Sequence, residues 1–267
     1  MSAATLFAGV AVAAAAGVTG WLLLLRRQLF AADALSHVAF PAALAAAAIG
    51  VDVRLGLIVC TVIVALVLAV LGSTSVSRRV ADDATIGVLF TAILAAGLFI
   101  QTVIDRSSGE GSTAATRALF GSLTALSRGE ALSSGVIALV AGLGAVILAR
   151  PLVFAWVTPG MAQAAGMRLR ALEIAFMTLL ALVVAVAAQA VGALLLLGLL
   201  TGPAAFARGA VARPAAGVAL AALVGALATL AGLAVATNVA LLPASSAIVV
   251  AAALPYGALR LRAAVRG

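Results

Sequence analysis

Apolar runs of about 17–23 residues recur along the whole chain, and the short segments between them hold most of the charged side chains. An α-helix rises about 1.5 Å per residue, so about 20 such residues cross a hydrocarbon layer of roughly 30 Å. The pattern predicts helical spans at about 3–25, 31–50, 55–72, 84–104, 132–149, 171–190, 191–207, 215–236 and 244–261. The stretch 171–207 is long for one helix and tight for two. Gln189, Gly192, Gly198 and Gly202–Pro203 interrupt it, which predicts a broken or re-entrant element and leaves eight crossings as an alternative to nine. Two segments do not read as spans. Residues 105–130 are polar and small apart from the patch Ala118–Leu119–Phe120–Gly121–Ser122–Leu123, and predict an external loop with a surface helix. Residues 150–170 predict a short helix between two spans, with Thr158 as N-cap, Pro159 at the first helical position and Gly166 as the stop.

Composition then sets the class. Of 267 residues, 66% are hydrophobic and only 9% charged, with a mean hydropathy of +1.31. Soluble domains carry roughly a quarter charged residues, so this chain has too little polar surface to face water on all sides. The expected fold is all-α: a polytopic transmembrane helical bundle of eight to nine spans, forming one domain over residues 1–267. Aromatics make up 4% while alanine and glycine abound, which suits close backbone approach between packed spans. A cleavable signal peptide is not expected, because no basic residue precedes the first apolar run and Arg26–Arg27 follows it.

The sixteen basic residues are all arginine. A phosphate-binding loop of the GxxxxGK[ST] type needs a lysine and is excluded. The clustering of these arginines between spans fits membrane topology, and no nucleic-acid partner is expected. Arg26, Arg27, Arg78, Arg79, Arg150, Arg168, Arg170, Arg208, Arg213, Arg260, Arg262 and Arg266 all follow odd-numbered spans. The other side carries Asp52 with Arg54, the neutral Thr237–Asn238–Val239, and Arg106, Arg117 and Arg128 offset by Asp105, Glu110 and Glu130. By the positive-inside rule the first set, and the C-terminus with it, is cytoplasmic, and nine crossings put the N-terminus outside.

Ionisable residues inside spans are costly and mark function. Asp33–Ala34–Leu35–Ser36–His37 opens the second span, and the four-residue spacing puts Asp33 and the chain's single histidine one turn apart on one face. A carboxylate and an imidazole so placed suit zinc, manganese or ferrous iron, and two ligands alone would let an ion leave again. The alternative is a wet helix-entry aspartate and a histidine bonded to a neighbouring helix. Asp82 and Asp83 before the fourth span, and Glu173 near the start of the sixth, read as first-turn carboxylates favoured by the helix dipole. Gln189 and Asn238 read as side chains that satisfy backbone groups. Cys60 reads as a small core residue. One histidine and one cysteine support no hydrolase site, no HExxH or GxSxG pattern is present, and no enzymatic activity is expected.

Four segments, in order, resemble the zinc/manganese-type permeases of ABC importers. They are Arg26–Arg27 through Asp33–Ala34–Leu35–Ser36–His37; Asp83–Ala84–Thr85–Ile86–Gly87–Val88–Leu89–Phe90; Phe120–Gly121–Ser122–Leu123; and Thr158–Pro159–Gly160–Met161–Ala162–Gln163–Ala164–Ala165–Gly166, continuing to Val191–Gly192–Ala193–Leu194–Leu195 and Gly202–Pro203–Ala204–Ala205–Phe206–Ala207–Arg208. The resemblance covers essentially the whole chain. It implies a type II importer-like permease in a bacterial cytoplasmic membrane, working as a dimer, expected to be a homodimer, with a separate cytoplasmic ABC ATPase subunit. It also implies an extracytoplasmic solute-binding protein that delivers the metal, zinc or manganese foremost, as cargo and not as a resident cofactor. Asp33 and His37 become the expected metal contacts of the path. The helix at about 158–167, with Pro159, Gly160, Met161, Ala162, Ala165 and Gly166, becomes the element that docks on the ATPase. The chain departs from the pattern at Thr158, where an acidic residue is usual, at the uncharged Gly160–Met161–Ala162–Gln163, and at Ala32 in place of glycine. A permease for a larger cargo such as an iron chelate, or an ion-coupled secondary transporter, are the alternatives. The second would need an inverted repeat and mid-membrane carboxylates.

Overall fold

In the computed structural model, residues 2–72, 83–107, 121, 123, 126–239 and 243–266 are described. Arg78, Arg79, Asp82 and most of the loop 105–130 with its expected surface helix lie outside them. The described residues form α1 (Ala3–Arg26), α2 (Leu29–His37), α3 (Ala39–Ala48), α4 (Val53–Gly72), α5 (Asp83–Ser107), α6 (Arg128–Val157), α7 (Pro159–Ala164), α8 (Leu169–Val191), α9 (Ala193–Ala210), α10 (Pro214–Asn238) and α11 (Ala244–Arg266). Nine stretches, with α2 and α3 taken together and α7 left out, are long and apolar enough to span a membrane.

Between apolar helices in lipid, contact rests on close packing and not on exclusion of water. The small residues are used accordingly. α1 runs through the middle of the bundle against α6, α9 and α10. A Cβ at Gly17 would meet the Ala221 carbonyl, and one at Gly225 would meet the Ala13 carbonyl, so α1 and α10 touch backbone to backbone. α2 with α3, and α8, are also largely buried, and α5 and α11 lie at the periphery. Val88, Leu98 and Phe99 on α5 are exposed, as an apolar environment permits.

Two spans differ from the pattern read along the chain. The second is two helices, broken at Val38. Proline has no amide hydrogen and its ring crowds the carbonyl four residues back, so Pro41 denies the His37 carbonyl its helical partner. The fifth runs for 30 residues, about 45 Å, and so extends beyond a hydrocarbon layer. The residues 150–157 assigned to a connecting segment are its last turns. Its start is a capping box, in which the Ser127 amide donates to Glu130 Oε2 at 2.7 Å and the Glu130 amide to Ser127 Oγ at 3.3 Å.

The interrupted stretch 171–207 proves to be two full helices meeting at Gly192, whose φ of 95° and ψ of 151° suit only glycine. Gly121, itself at φ 61°, sits so close that a Cβ on it would meet the Gly192 amide. Two glycine segments distant in sequence therefore share one tight corner.

Candidate functional site

Asp33 and His37 lie on the last two turns of α2, on one face, with His37 Nε2 3.9 Å from Asp33 Oδ1. That gap is too long for a hydrogen bond. An ion about 2.1 Å from each atom in tetrahedral geometry would hold them about 3.4 Å apart, so a shift of about half an ångström makes the pair a two-ligand clamp. Both side chains are partly open, at 20% for His37 and 31% for Asp33. The Ser36 hydroxyl donates to the Asp33 carbonyl at 2.7 Å, a back-bond that favours a bend near the helix end. The His37 ring meets Phe90 of α5 edge to face, centroids 5.2 Å apart. No three His, Cys, Asp or Glu side chains converge among the described residues. Among the described residues, further donors to an ion here would thus be backbone or hydroxyl groups.

Arg26, Arg27, Arg150, Arg168, Arg170, Arg208, Arg213, Arg260 and Arg262 mark one end of the bundle. Arg26 is not a solvated topology charge. Its guanidinium is 4% exposed, forms an ion pair with Glu173 of α8, and lies over the Trp156 ring of α6, 5.2 Å from the centroid. Glu173 is therefore a buried counter-ion and not the dipole-favoured carboxylate expected, since it sits one turn inside α8. Arg208 donates to the Leu24 carbonyl at 3.1 Å, holding the end of α1 to α9.

At the same end α7 forms the short turn between α6 and α8. Pro159 begins it and Gly166, at φ 76°, ends the segment, as expected. Thr158 does not cap it: its hydroxyl donates back to the Phe154 carbonyl at 3.1 Å. Gly160, Met161, Ala165 and Gly166 are exposed, Met161 at 64%, and Pro159 is half-buried. Ala162, expected with them on a partner-facing surface, is fully buried and seats the helix instead. A cleft of about 570 Å³ lined by Gln163, Met167, Arg168, Arg170 and Ile174 opens beside it.

The opposite end holds a cluster that sequence reading missed. Asp52 Oδ1 accepts the amides of Arg54 and Leu55 at 2.8 and 3.2 Å, starting α4. The Arg54 Nε donates to Gln189 Oε1 of α8 at 3.1 Å, and its Nη2 to the Glu130 carbonyl, Ser133 Oγ and Ser134 Oγ of α6 at 3.1, 3.0 and 2.8 Å. Gln189 thus serves a side chain and not backbone groups. Asn238 behaves as expected, donating to the Ala234 carbonyl at 2.7 Å. An arginine at the start of one span, with Ser133, Ser134 and Gln189 among the few polar residues near the ends of two others, was the available signal.

Comparison with known proteins agrees with this geometry. The model of the ABC 3 transport family matches residues 1–259. The manganese transport system membrane protein MntC of Halalkalibacterium halodurans is 33% identical over 228 residues, 85% of this chain and 76% of that protein. The manganese import system permease protein ScaB of Streptococcus parasanguinis is 28% identical over 200 residues, 75% of this chain and 69% of that one. Among solved structures, PsaBC from Streptococcus pneumoniae in complex with Fab superposes with a TM-score of 0.78 at 26% identity, covering 96% of this chain and 89% of that one.

Proposed function

Since the chain belongs to the ABC 3 transport family and is a membrane-spanning permease of a metal importer, we propose that its cargo is a divalent transition ion, manganese first, and that Asp33 and His37 contact it in transit. The single observation that carries this is the 3.9 Å pair at the break after α2. A carboxylate and an imidazole also accept zinc and ferrous iron. The preference for manganese is supported by what MntC and ScaB are named for. Two protein ligands on a short helix bind weakly enough to release, which a conducting site requires.

ATP hydrolysis belongs to a separate cytoplasmic ATPase subunit, since a chain without lysine has no phosphate-binding loop of the lysine type. That subunit docks on α7 and the turn that ends it, where exposed Gly160, Met161, Ala165 and Gly166 form a small uncharged surface. The arginine-rich end, with α7 and the C-terminus, faces the cytoplasm of a bacterial cell membrane. An extracytoplasmic solute-binding protein delivers the ion at the Arg54 end. A second copy of the permease completes the path.

The test is reconstitution of the permease with its ATPase and its solute-binding protein in vesicles, with uptake of Mn²⁺, Zn²⁺, Fe²⁺ and an iron chelate followed side by side. The proposal expects ATP-dependent uptake of free divalent ions with Mn²⁺ preferred. Uptake without the ATPase, or of the chelate alone, would overturn it.

A further inference from the structure

Sixteen arginines and eight carboxylates serve this chain, and the ion pair between Arg26 and Glu173 is buried. A buried ion pair is poor at adding stability, because desolvation of both charges offsets their attraction; apolar residues of like size would hold the helices as well. Its position is informative. Arg26 ends α1, Trp156 lies two residues before the turn into α7, and Glu173 lies in the second turn of α8. Both legs that carry α7 are thus gripped by one guanidinium, and Ala162 seats α7 against the bundle from inside.

The corner beyond Arg26 is stiff. Arg27 takes the left-handed conformation at φ 60°, costly for a residue with a Cβ and kept only where surroundings impose it. The Gln28 amide donates to the Leu23 carbonyl at 3.1 Å and its side chain is buried. Immediately after comes α2, nine residues long, bounded by this corner and by the Val38 break, with both Asp33 and His37 on it. A short helix between a rigid corner and a break turns as one body.

We propose that Arg26 is the positioning residue that couples α7 to the cargo site: held between Trp156 and Glu173, it passes displacement of the α7 legs to α2 and so turns the Asp33–His37 pair into and out of reach of the cargo. This rests on the docking of an ATPase at α7 argued above.

The experiment uses the reconstituted permease–ATPase complex carrying Cys60→Ser and Phe30→Cys, since Phe30 lies on α2 and is exposed. The rate of thiol labelling at position 30 is compared with and without ATP and vanadate. We expect a several-fold change in the parent complex that disappears in Glu173→Gln while ATP hydrolysis and co-purification persist. The pair Arg26→Glu with Glu173→Arg should restore it in part. Where the charge variants fail to assemble, Trp156→Leu keeps the ion pair, removes the ring, and should diminish the change likewise. No nucleotide-dependent change in the parent, or an unaltered change in Glu173→Gln or Trp156→Leu, overturns the coupling role. The readout does not depend on cargo, so absence of Mn²⁺ uptake would count against the transport reading and leave this result decisive.

Discussion

His37 stands edge to face against Phe90, centroids 5.2 Å apart and planes at 62°. The aromatic that ends the Asp83–Phe90 segment thereby orients the chain's one imidazole, and two segments that resemble family motifs meet at a single contact.

Such a contact is worth about 0.5–1.5 kcal/mol beyond the area it covers, or about a two- to tenfold effect. Phe90→Leu keeps an apolar side chain of similar bulk and loses the ring edge. Mn²⁺ uptake by vesicles carrying this variant should show a raised KM of that size with a maximum rate changed less. An unchanged KM would mean that the ring does not position the imidazole.

Pro41 separates α2 from α3 by leaving the His37 carbonyl without its helical donor. Pro41→Ala returns that donor. Pro41 sits in the first turn of α3, where proline itself costs little, so the gain is the restored bond to the His37 carbonyl, about 1 kcal/mol, and the variant should melt at a slightly higher temperature in detergent. Because α2 then continues into α3 and loses its freedom to turn, uptake should fall while the protein is more stable. Greater stability with full uptake would show that the break has no part in transport.

Arg54 binds α4 to α6 and α8 through four acceptors that share the three hydrogens of its Nε and Nη2. Hydrogen bonds from a charged donor contribute about 1.5–3 kcal/mol each when buried, less here where the side chain is partly wet. Arg54→Ala should lower the detergent melting temperature clearly. Arg54→Lys should recover little, since a lysine ammonium lacks the planar fork that reaches Gln189, Ser133 and Ser134 together. Full recovery by lysine would reduce the cluster to a simple charge effect.

Met161 is exposed on α7 and Ala162 is buried beneath it. Met161→Asp should cut co-purification of the ATPase subunit without changing the melting temperature of the isolated permease. Ala162→Asp should lower that temperature itself, because it places a carboxylate in a filled site. Equal retention of the ATPase by Met161→Asp and the parent would move the docking surface elsewhere.

What could be read along the chain, and what could not, follows from the range of the forces. The spans were legible because lipid demands an unbroken apolar helix, a requirement written locally in every segment. Gly166 and Pro159 were legible because turn chemistry is local too. Thr158 looked like a cap by type, yet its hydroxyl had a nearer acceptor in the Phe154 carbonyl. The break at Val38 was signalled by Pro41 but masked by the apolar run around it. The capping box was written as Ser127 followed three residues later by Glu130, and was read only as balancing charge. Arg26 with Glu173, and Arg54 with Gln189, could not be paired from sequence, because helix packing alone brings residues so far apart together. The positive-inside pattern even supplied an alternative reason for Arg26. At the Asp33–His37 site the spacing put both side chains on one face, and the distance between them needed the fold.

The most direct measurement is ⁵⁴Mn uptake by cells lacking the chromosomal copy and expressing the parent, Asp33→Ala or His37→Ala at matched membrane levels. Loss of even an outer partner of a metal ligand costs about 10–100-fold, so loss of a contacting ligand should cost at least about tenfold in uptake. Both variants should still co-purify with the ATPase. Uptake at the parent's rate by both variants would contradict the account.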